Sequence, residues 1–303
     1  MDLVLPRAFW RGPASTPWAD KAPVREELFG VERLEQHAQS LAVAQTVTPT
    51  PSAVPPLRTR LDDNARVLLA AYRASAAELE AGRRVVPAAE WLLDNYHLVE
   101  KQIREIRSDL PADYYRQLPK LATGPFAGYP RVFGLAWAFV AHTDSHIDAA
   151  VLRRFVAAYQ RAQPLTIGEL WAVAITLRIV LIENLRRLAD QITIGRAARA
   201  DADVLATRLT LPGSARAALE EDIAARPPRA LSELFAAQLA KRLRDQDPHT
   251  MPALGWLEKR LGHQGATIDD AVAHAQQRQG ASNVTVRNVI TSCLLYTSPS
   301  PRD

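Results

Sequence analysis

The sixteen residues from Leu170 to Leu185, LWAVAITLRIVLIENL, are the most apolar stretch of the chain and limit its fold more than any other feature. A bilayer-spanning helix needs about 18 or more uninterrupted apolar residues, and Arg178 stands near the middle of this run. A guanidinium at that depth is expensive in lipid. An apolar run of this length suits instead a helix buried on most sides in a soluble bundle. The sequence therefore predicts a central helix with amphipathic helices packed around it.

Apolar spacings of three and four residues supply those partners. Leu61 to Ala81 and Pro87 to Ser108 follow the helical period, with Gly82 breaking them and Pro87 at a helix start. The second of these offers Trp91, Leu92, Leu98, Val99, Ile103 and Ile106 as a core stripe, beside the polar Asp94, Asn95, His97 and Glu100. Arg131 to His142 and Asp148 to Gln163 continue the pattern. Gln163-Pro164-Leu165-Thr166 marks a helix end and a restart, with Thr166 as N-cap and Glu169 completing a capping box. Beyond Ile194, helices are expected near Ala197 to Leu209, Ala215 to Ala225, Ala230 to Asp245, Trp256 to Leu261, Thr267 to Gln279 and Asn283 to Ile290. TVRNVIT alternates too briefly to define a strand. With no alternation of strand and helix blocks, a Rossmann-like domain is excluded. The expected fold class is all-α, a multi-helix bundle.

Two Pro-rich segments interrupt this plan. Residues 1–60 read as an arm, with Pro6, Pro13, Pro17, Pro23, Pro49, Pro51, Pro55 and Pro56, and with one short helix from Arg25 to Val43 that places Leu28, Val31, Leu34, Ala38 and Leu41 on one face. Leu118 to Pro130 is a shaped connector, because Gly124-Pro125 and Tyr129-Pro130 force extended or turn geometry. The closing CLLYTSPSPRD, residues 293–303, reads as a foreign tail similar to translated sequencing adapter. Setting it aside removes Cys293, the single cysteine, and with it any disulfide, thiolate nucleophile or zinc-thiolate site. The expected organisation is an arm at 1–60, a helical domain at 61–292 and a tail at 293–303.

Composition excludes some partners. A formal charge of +4 and a pI near 9.4 come from a diffuse Arg excess without a dense basic block, so no nucleic-acid partner is expected. An anionic membrane surface is equally compatible with that charge. The opening MDLVLPRAFWRGPAS lacks the charged and apolar regions of a secretory signal. The chain has no GxxxxGK[ST] phosphate loop and no GxGxxG fingerprint.

Four constellations are candidates for chemistry. Asp201-Ala202-Asp203 and Asp245-Gln246-Asp247 match the D-x-D pattern that holds a divalent cation in sugar transferases, yet the first sits in a helical, Arg-rich stretch and the second precedes Pro248 at a helix end. His142 and His146, four apart with Asp144 and Asp148 nearby, are weak zinc candidates; the competing structural reading makes Asp144 and Ser145 the N-cap of the next helix. Arg178 needs a carboxylate from another helix, and Asp94 and Glu100 are the expected partners. The functional alternative has Arg178 in a phosphate or sugar cleft with Tyr114, Tyr115, Trp137 and Trp171 as stacking faces. Finally, Tyr114, Tyr115, Pro119, Lys120, Tyr129 and Arg131 concentrate aromatic and basic side chains around the connector, as a loop that docks a domain or ligand would. The same residues would also serve a connector that folds back to seal its own bundle.

From Tyr114 to Asp190 the chain reads YYRQLPKLATGPFAGYPRVFGLAWAFVAHTDSHID, then RRFVAAYQRAQPLTIGELWAVAITLRIVLIENLRRLAD, and NVTVRNVITS follows at Asn283 to Ser292. These segments resemble the N-terminal region of bacterial cyclic β-1,2-glucan synthases, over about Trp91 to Ser292. The resemblance implies a truncated part of a long inner-membrane enzyme that polymerises glucose from UDP-glucose, with a divalent cation, cyclises the product and carries a phosphorylase-like domain. No transferase or phosphorylase motif of that family has a counterpart here, so no catalytic residue and no cofactor is expected in this chain. The expected role is a non-catalytic, cytoplasm-facing helical domain that supports or regulates the transferase, with later domains of the same enzyme as partners. A stand-alone helical interaction module is the alternative, and a small metal-dependent hydrolase built on His142 to Asp148 is a third reading.

Overall fold

The computed structural model describes residues 21–109, 112–209, 231–244 and 251–295. Ten α-helices dominate the described residues: α1 (Val31–Ala44), α2 (Leu57–Glu80), α3 (Pro87–Asp109), α4 (Ala112–Gln117), α5 (Arg131–His142), α6 (Ala149–Ala162), α7 (Ile167–Leu209), α8 (Glu233–Arg244), α9 (Met251–Gly262) and α10 (Ile268–Leu295). One short antiparallel pair joins β1 (Val47–Thr48) to β2 (Lys120–Leu121), with Val47 opposite Leu121 and Thr48 opposite Lys120. The all-α reading holds. No described helix is long and apolar enough to cross a membrane.

The described residues divide into two compact units, one within 1–85, 90–188 and 285–303 and one within 86–89 and 189–284. In the first, α5 is enclosed on nearly every side, with Val132, Phe133, Leu135, Phe139 and Val140 fully buried. Leu177, Val180, Leu181 and Ile182 of α7 are equally buried. Each such side chain contributes about 1.5–3 kcal/mol relative to exposure. Helix α1 packs along α6 and touches α5. Gly134 permits one close approach, since a Cβ there would lie 2.6 Å from Gln45 Nε2. Gln45 in turn accepts a 2.8 Å hydrogen bond from the buried Tyr159 hydroxyl.

In the second unit, small residues set the spacing. Ala202 and Ala206 of α7, Ala236, Leu239, Ala240 and Leu243 of α8, Leu257 and Leu261 of α9, and Ala271 of α10 form its core. Gly195 lies 3.0 Å, measured from a Cβ position, from Leu234 of α8, so glycine makes room for that leucine. Helix α10 begins with a box in which the Thr267 hydroxyl donates to Asp270 at 2.7 Å and the Asp270 amide donates back at 3.1 Å.

Several boundaries differ from expectation for identifiable reasons. Residues 25–30 are not helical, because the Glu26 and Phe29 amides donate to Ala141 and His142 carbonyls at the end of α5. Leu28, expected on the core face, is consequently exposed. The helix expected from Ala197 is the continuation of α7, in which the interior Gly195 costs only about 1 kcal/mol and does not stop a helix. Likewise α10 runs unbroken through TVRNVIT to Leu295 and buries Cys293. The segment read as an arm contributes α1, with Leu34, Ala38 and Leu41 buried, and the buried Val24. Its first 20 residues, the expected helix at 215–225, Asp245-Gln246-Asp247 and residues 296–303 lie outside the described residues.

Candidate functional site

At the HTDS turn, too, the structure departs from the sequence expectation. Helix α5 ends at His142 with Thr143 as its C-cap, and Asp144 and Ser145 then take φ of 50° and 64°. The Ser145 amide bonds back to the Val140 carbonyl at 3.0 Å, which closes the helix end in the manner usually left to glycine. His142 and His146 therefore do not share a helical turn. His142 is buried, stacked on Phe29 with centroids 4.0 Å apart and its Nδ1 2.7 Å from the Glu27 carbonyl, while His146 is exposed. Among the described residues, no three His, Cys, Asp or Glu side chains converge as metal ligands. The N-cap of α6 is Asp148, which accepts from the Ala150 and Val151 amides, and not Asp144 or Ser145. Those hydrogen bonds hold the Asp148 carboxyl below its usual range.

Left-handed backbone at two buried non-glycine residues costs roughly 1–3 kcal/mol each and needs compensation. It comes from three distant sequence segments. The Asp144 carboxylate accepts from the Thr285 hydroxyl at 2.6 Å, and its carbonyl accepts from Asn288 at 3.0 Å. The Ser145 hydroxyl accepts from Asn184 at 2.8 Å, and Asn184 also accepts from the Val24 amide at 2.7 Å. Ser292 donates to the Ser145 carbonyl at 2.8 Å and accepts from the Ile147 amide at 3.0 Å. HTDS, ENLRRLAD and NVTVRNVITS thus meet in one buried knot.

Next to Asn184 in the chain, Glu183 accepts from Arg60 Nε and Nη2 at 2.8 Å each, from Asn64 at 2.8 Å and from Arg187 at 2.9 Å. Burial alone would push its carboxyl up; the hydrogen bonds and charges of Arg60 and Arg187 outweigh this and hold it below the usual range. Arg187 stacks on Trp137 with 4.9 Å to the ring centroid. Trp137, offered by the sequence as a stacking face of a ligand cleft lined by Arg178, is thus covered by Arg187. Arg178 reaches Glu105 at 3.7 Å and Asp109 at 3.3 Å, both C-terminal to Glu100 on α3, and not Asp94 or Glu100. Glu100 pairs with Arg104 on its own helix, and Trp171 is 79 % exposed. The signal missed in the sequence was the Glu183–Arg187 pair, four apart within an apolar helix.

The connector residues separate into two groups. Arg131 turns inward as a two-pronged donor to Glu169 at 2.8 and 2.6 Å and to the Pro164 carbonyl at 3.1 Å. Glu169 accepts as well from the Thr166 amide at 2.9 Å, so the expected capping box is present and anchors the Tyr-Pro-Arg turn. Tyr114 donates to the Gly168 carbonyl, and the Pro119 carbonyl accepts from the Arg131 amide at 2.9 Å. Tyr115, Lys120 and Tyr129, by contrast, line a cleft of about 430 Å³ together with the Ser52–Arg58 segment, Arg116, Gly128 and Pro130. Gly128, at φ 83°, brings the connector against this segment; a Cβ would sit 2.5 Å from the Ser52 carbonyl oxygen. Lys120 donates to the Tyr115 carbonyl and lies 5.1 Å from the Tyr115 ring centroid. Burial lowers its ammonium to about 8 and pushes the Tyr115 phenol up.

The D-x-D pair does not fit a shared cation. Asp201 and Asp203 lie two residues apart within α7, on different sides of the helix. Asp203 accepts from Gln238 at 2.8 Å and faces Arg242 at 3.4 Å.

Fold and site together define an all-α module whose polar side chains tie distant sequence segments together beside a basic cleft. The chain is similar to a segment of the cyclic β-(1,2)-glucan synthase NdvB of Rhizobium meliloti (strain 1021), 39% identical over 273 residues. The match takes in 89% of this chain and 9% of the relative's length. No family model matches. The resemblance drawn from the sequence motifs is borne out as homology to a segment of that much longer protein.

Proposed function

We propose that this chain is a non-catalytic helical domain of a cyclic β-1,2-glucan synthase, which supports or regulates the transferase by packing against other domains of the same enzyme. The observation that carries the reading is the similarity to the synthase segment over nearly the whole chain. The helix face bearing Ile167, Leu170 and Trp171 adds support, since Ile167 and Trp171 are 77 % and 79 % exposed at helical spacing and offer an apolar contact. In this reading UDP-glucose and its divalent cation belong to the rest of the enzyme, which sits in the inner membrane with this domain on the cytoplasmic side.

The test uses the Rhizobium synthase as host. Its matching segment is replaced by this chain in one strain and deleted in another, and membranes of equal synthase content are assayed for cyclic glucan from UDP-glucose. The chimera is expected to retain synthesis, the deletion to lose it, and Trp171→Glu in the chimera to reduce it severalfold. Undiminished synthesis by the deletion, or glucose transfer by the purified chain alone, would overturn the proposal.

A further inference from the structure

Lys120 is the one amine in the wall of the connector cleft, and its backbone is held from two sides. Strand β2 pairs it with Thr48 of β1, and a further bridge joins it to Pro130. Its side chain is half-buried, with Nζ donating to the Tyr115 carbonyl and lying 5.1 Å from the Tyr115 ring centroid. No Asp or Glu is among the described residues that line the cleft, and Lys120 forms no ion pair among the described residues. An ammonium taken out of water without an anion loses more than it gains from a carbonyl and a ring face, so its neutral form is favoured. Burial accordingly lowers it from 10.5 to about 8. Arg58, Arg116, Tyr115 and Tyr129 are the other titratable groups of the same wall.

A neutral amine carries a lone pair, and a lysine desolvated in a cavity is the usual nucleophile of imine chemistry. The space in front of it suits a small molecule: about 430 Å³, within the range of about 300–1,000 Å³ common for such sites. Val54, Pro55, Tyr115, Tyr129 and Pro130 make much of the lining apolar and aromatic. The close approach at Gly128 holds the Ser52–Val54 side of the cleft against the connector, so the walls are set before any molecule enters. A flat apolar ring covers such surfaces and is bound by them.

We propose that Lys120 is a nucleophilic amine that captures small aromatic aldehydes in this cleft, Nζ forming an imine with the carbonyl carbon while the aldehyde's ring lies against Val54, Pro55 and Tyr129. The Nζ lone pair adds to the carbonyl carbon, and one nitrogen proton moves to the oxygen to give a carbinolamine. Loss of that hydroxyl with the second nitrogen proton, as water, leaves the C=N bond. The step is redox-neutral, consumes no co-reactant and reverses by hydrolysis.

The purified 303-residue chain is treated at pH 7.5 with benzaldehyde and sodium cyanoborohydride, which traps the imine as a benzylamine, and labelling of each lysine is followed by peptide mass spectrometry. Lys101, Lys241 and Lys259 are exposed and serve as internal references. Lys120 is expected to react at least about tenfold faster than these, since more of it is uncharged at that pH. Its labelling should saturate with benzaldehyde concentration and be slowed by benzyl alcohol, which has the ring without the carbonyl. The advantage should shrink at pH 10.5, where the reference lysines also lose their protons. Labelling of Lys120 no faster than the references overturns the proposal. So does fast labelling that stays linear in benzaldehyde and indifferent to benzyl alcohol, because the cleft then holds no ring.

Discussion

Glu183→Ala isolates the largest electrostatic commitment in the first unit. The Glu183 side chain is 1% exposed and that of Arg187 2%, whereas Arg60 retains 16%. Removing the carboxylate takes away the 2.9 Å ion pair of the buried Arg187 guanidinium, whose contacts to the Ala22 carbonyl, at 2.8 Å, and to the Trp137 face bring no negative charge. Breaking a buried pair from one side costs about 3–5 kcal/mol, because the surviving charge is left uncompensated. Glu183→Gln keeps the shape and one acceptor oxygen, and the loss of charge-assisted bonds sets its cost at about 1.5–3 kcal/mol. Glu100→Ala is the control, since its partner Arg104 is exposed on the same helix. Its expected cost is under about 0.5 kcal/mol. The assay is urea unfolding followed by tryptophan fluorescence at pH 7. The pH dependence adds a second reading. The folded carboxyl lies below its ordinary value of 4.5, so the stabilisation is complete above that value and is lost as pH falls through the folded pKa. The parent should lose its advantage over Glu183→Gln on acidification. A Glu183→Ala protein within about 1 kcal/mol of the parent would refute the reasoning.

Two further perturbations test separate parts of the same unit. Burial first, then the nearby His142 and Arg33, lower the His37 imidazole from 6.5 to about 4, so the native state favours its neutral form. That stability is complete above about pH 6.5 and is lost as pH falls toward 4, amounting to roughly 1–2 kcal/mol between pH 7 and 5 after allowance for partial exposure. His37→Phe should flatten thermal stability over that interval, and an unchanged slope would show that the titrating group lies elsewhere. Gly128→Ala combines a φ of 83° with contacts of 2.5 Å to Ser52 and 2.8 Å to Val54, whereas Gly124→Ala has a φ of 85° and open space. The first should cost about 2–3 kcal/mol and the second about 1–2; equal melting temperatures would remove the steric argument.

The fold was legible wherever a local signal met no competing long-range one. Helix α5 begins and ends where its apolar period predicts, and the Thr166–Glu169 box at the start of α7 needs only residues within one turn. Residues 25–30 carry an equally regular period but are extended, because their amides bond to the end of α5, more than a hundred residues away. A period shows which residues can share a face. It does not show which backbone groups a distant segment will claim.

The site shows the same division. Arg178 drew notice as a charge in an apolar helix, and its need for a carboxylate was correctly inferred, but the helix register of α3 relative to α7 decides which acid it meets. That register delivers Glu105 and Asp109 and leaves Asp94 and Glu100 outward. Glu183 and Arg187 escaped notice because four-residue opposite-charge spacing ordinarily marks a solvated face. Their burial follows only when Arg60 and Asn64 arrive from α2. The cleft was half legible. Tyr115, Lys120 and Tyr129 were candidates from composition alone, whereas Arg58 comes from a segment read as an arm. Nothing local to either segment fixes that meeting; the glycine at 128, which lets the connector pass against Ser52, is the residue on which it depends.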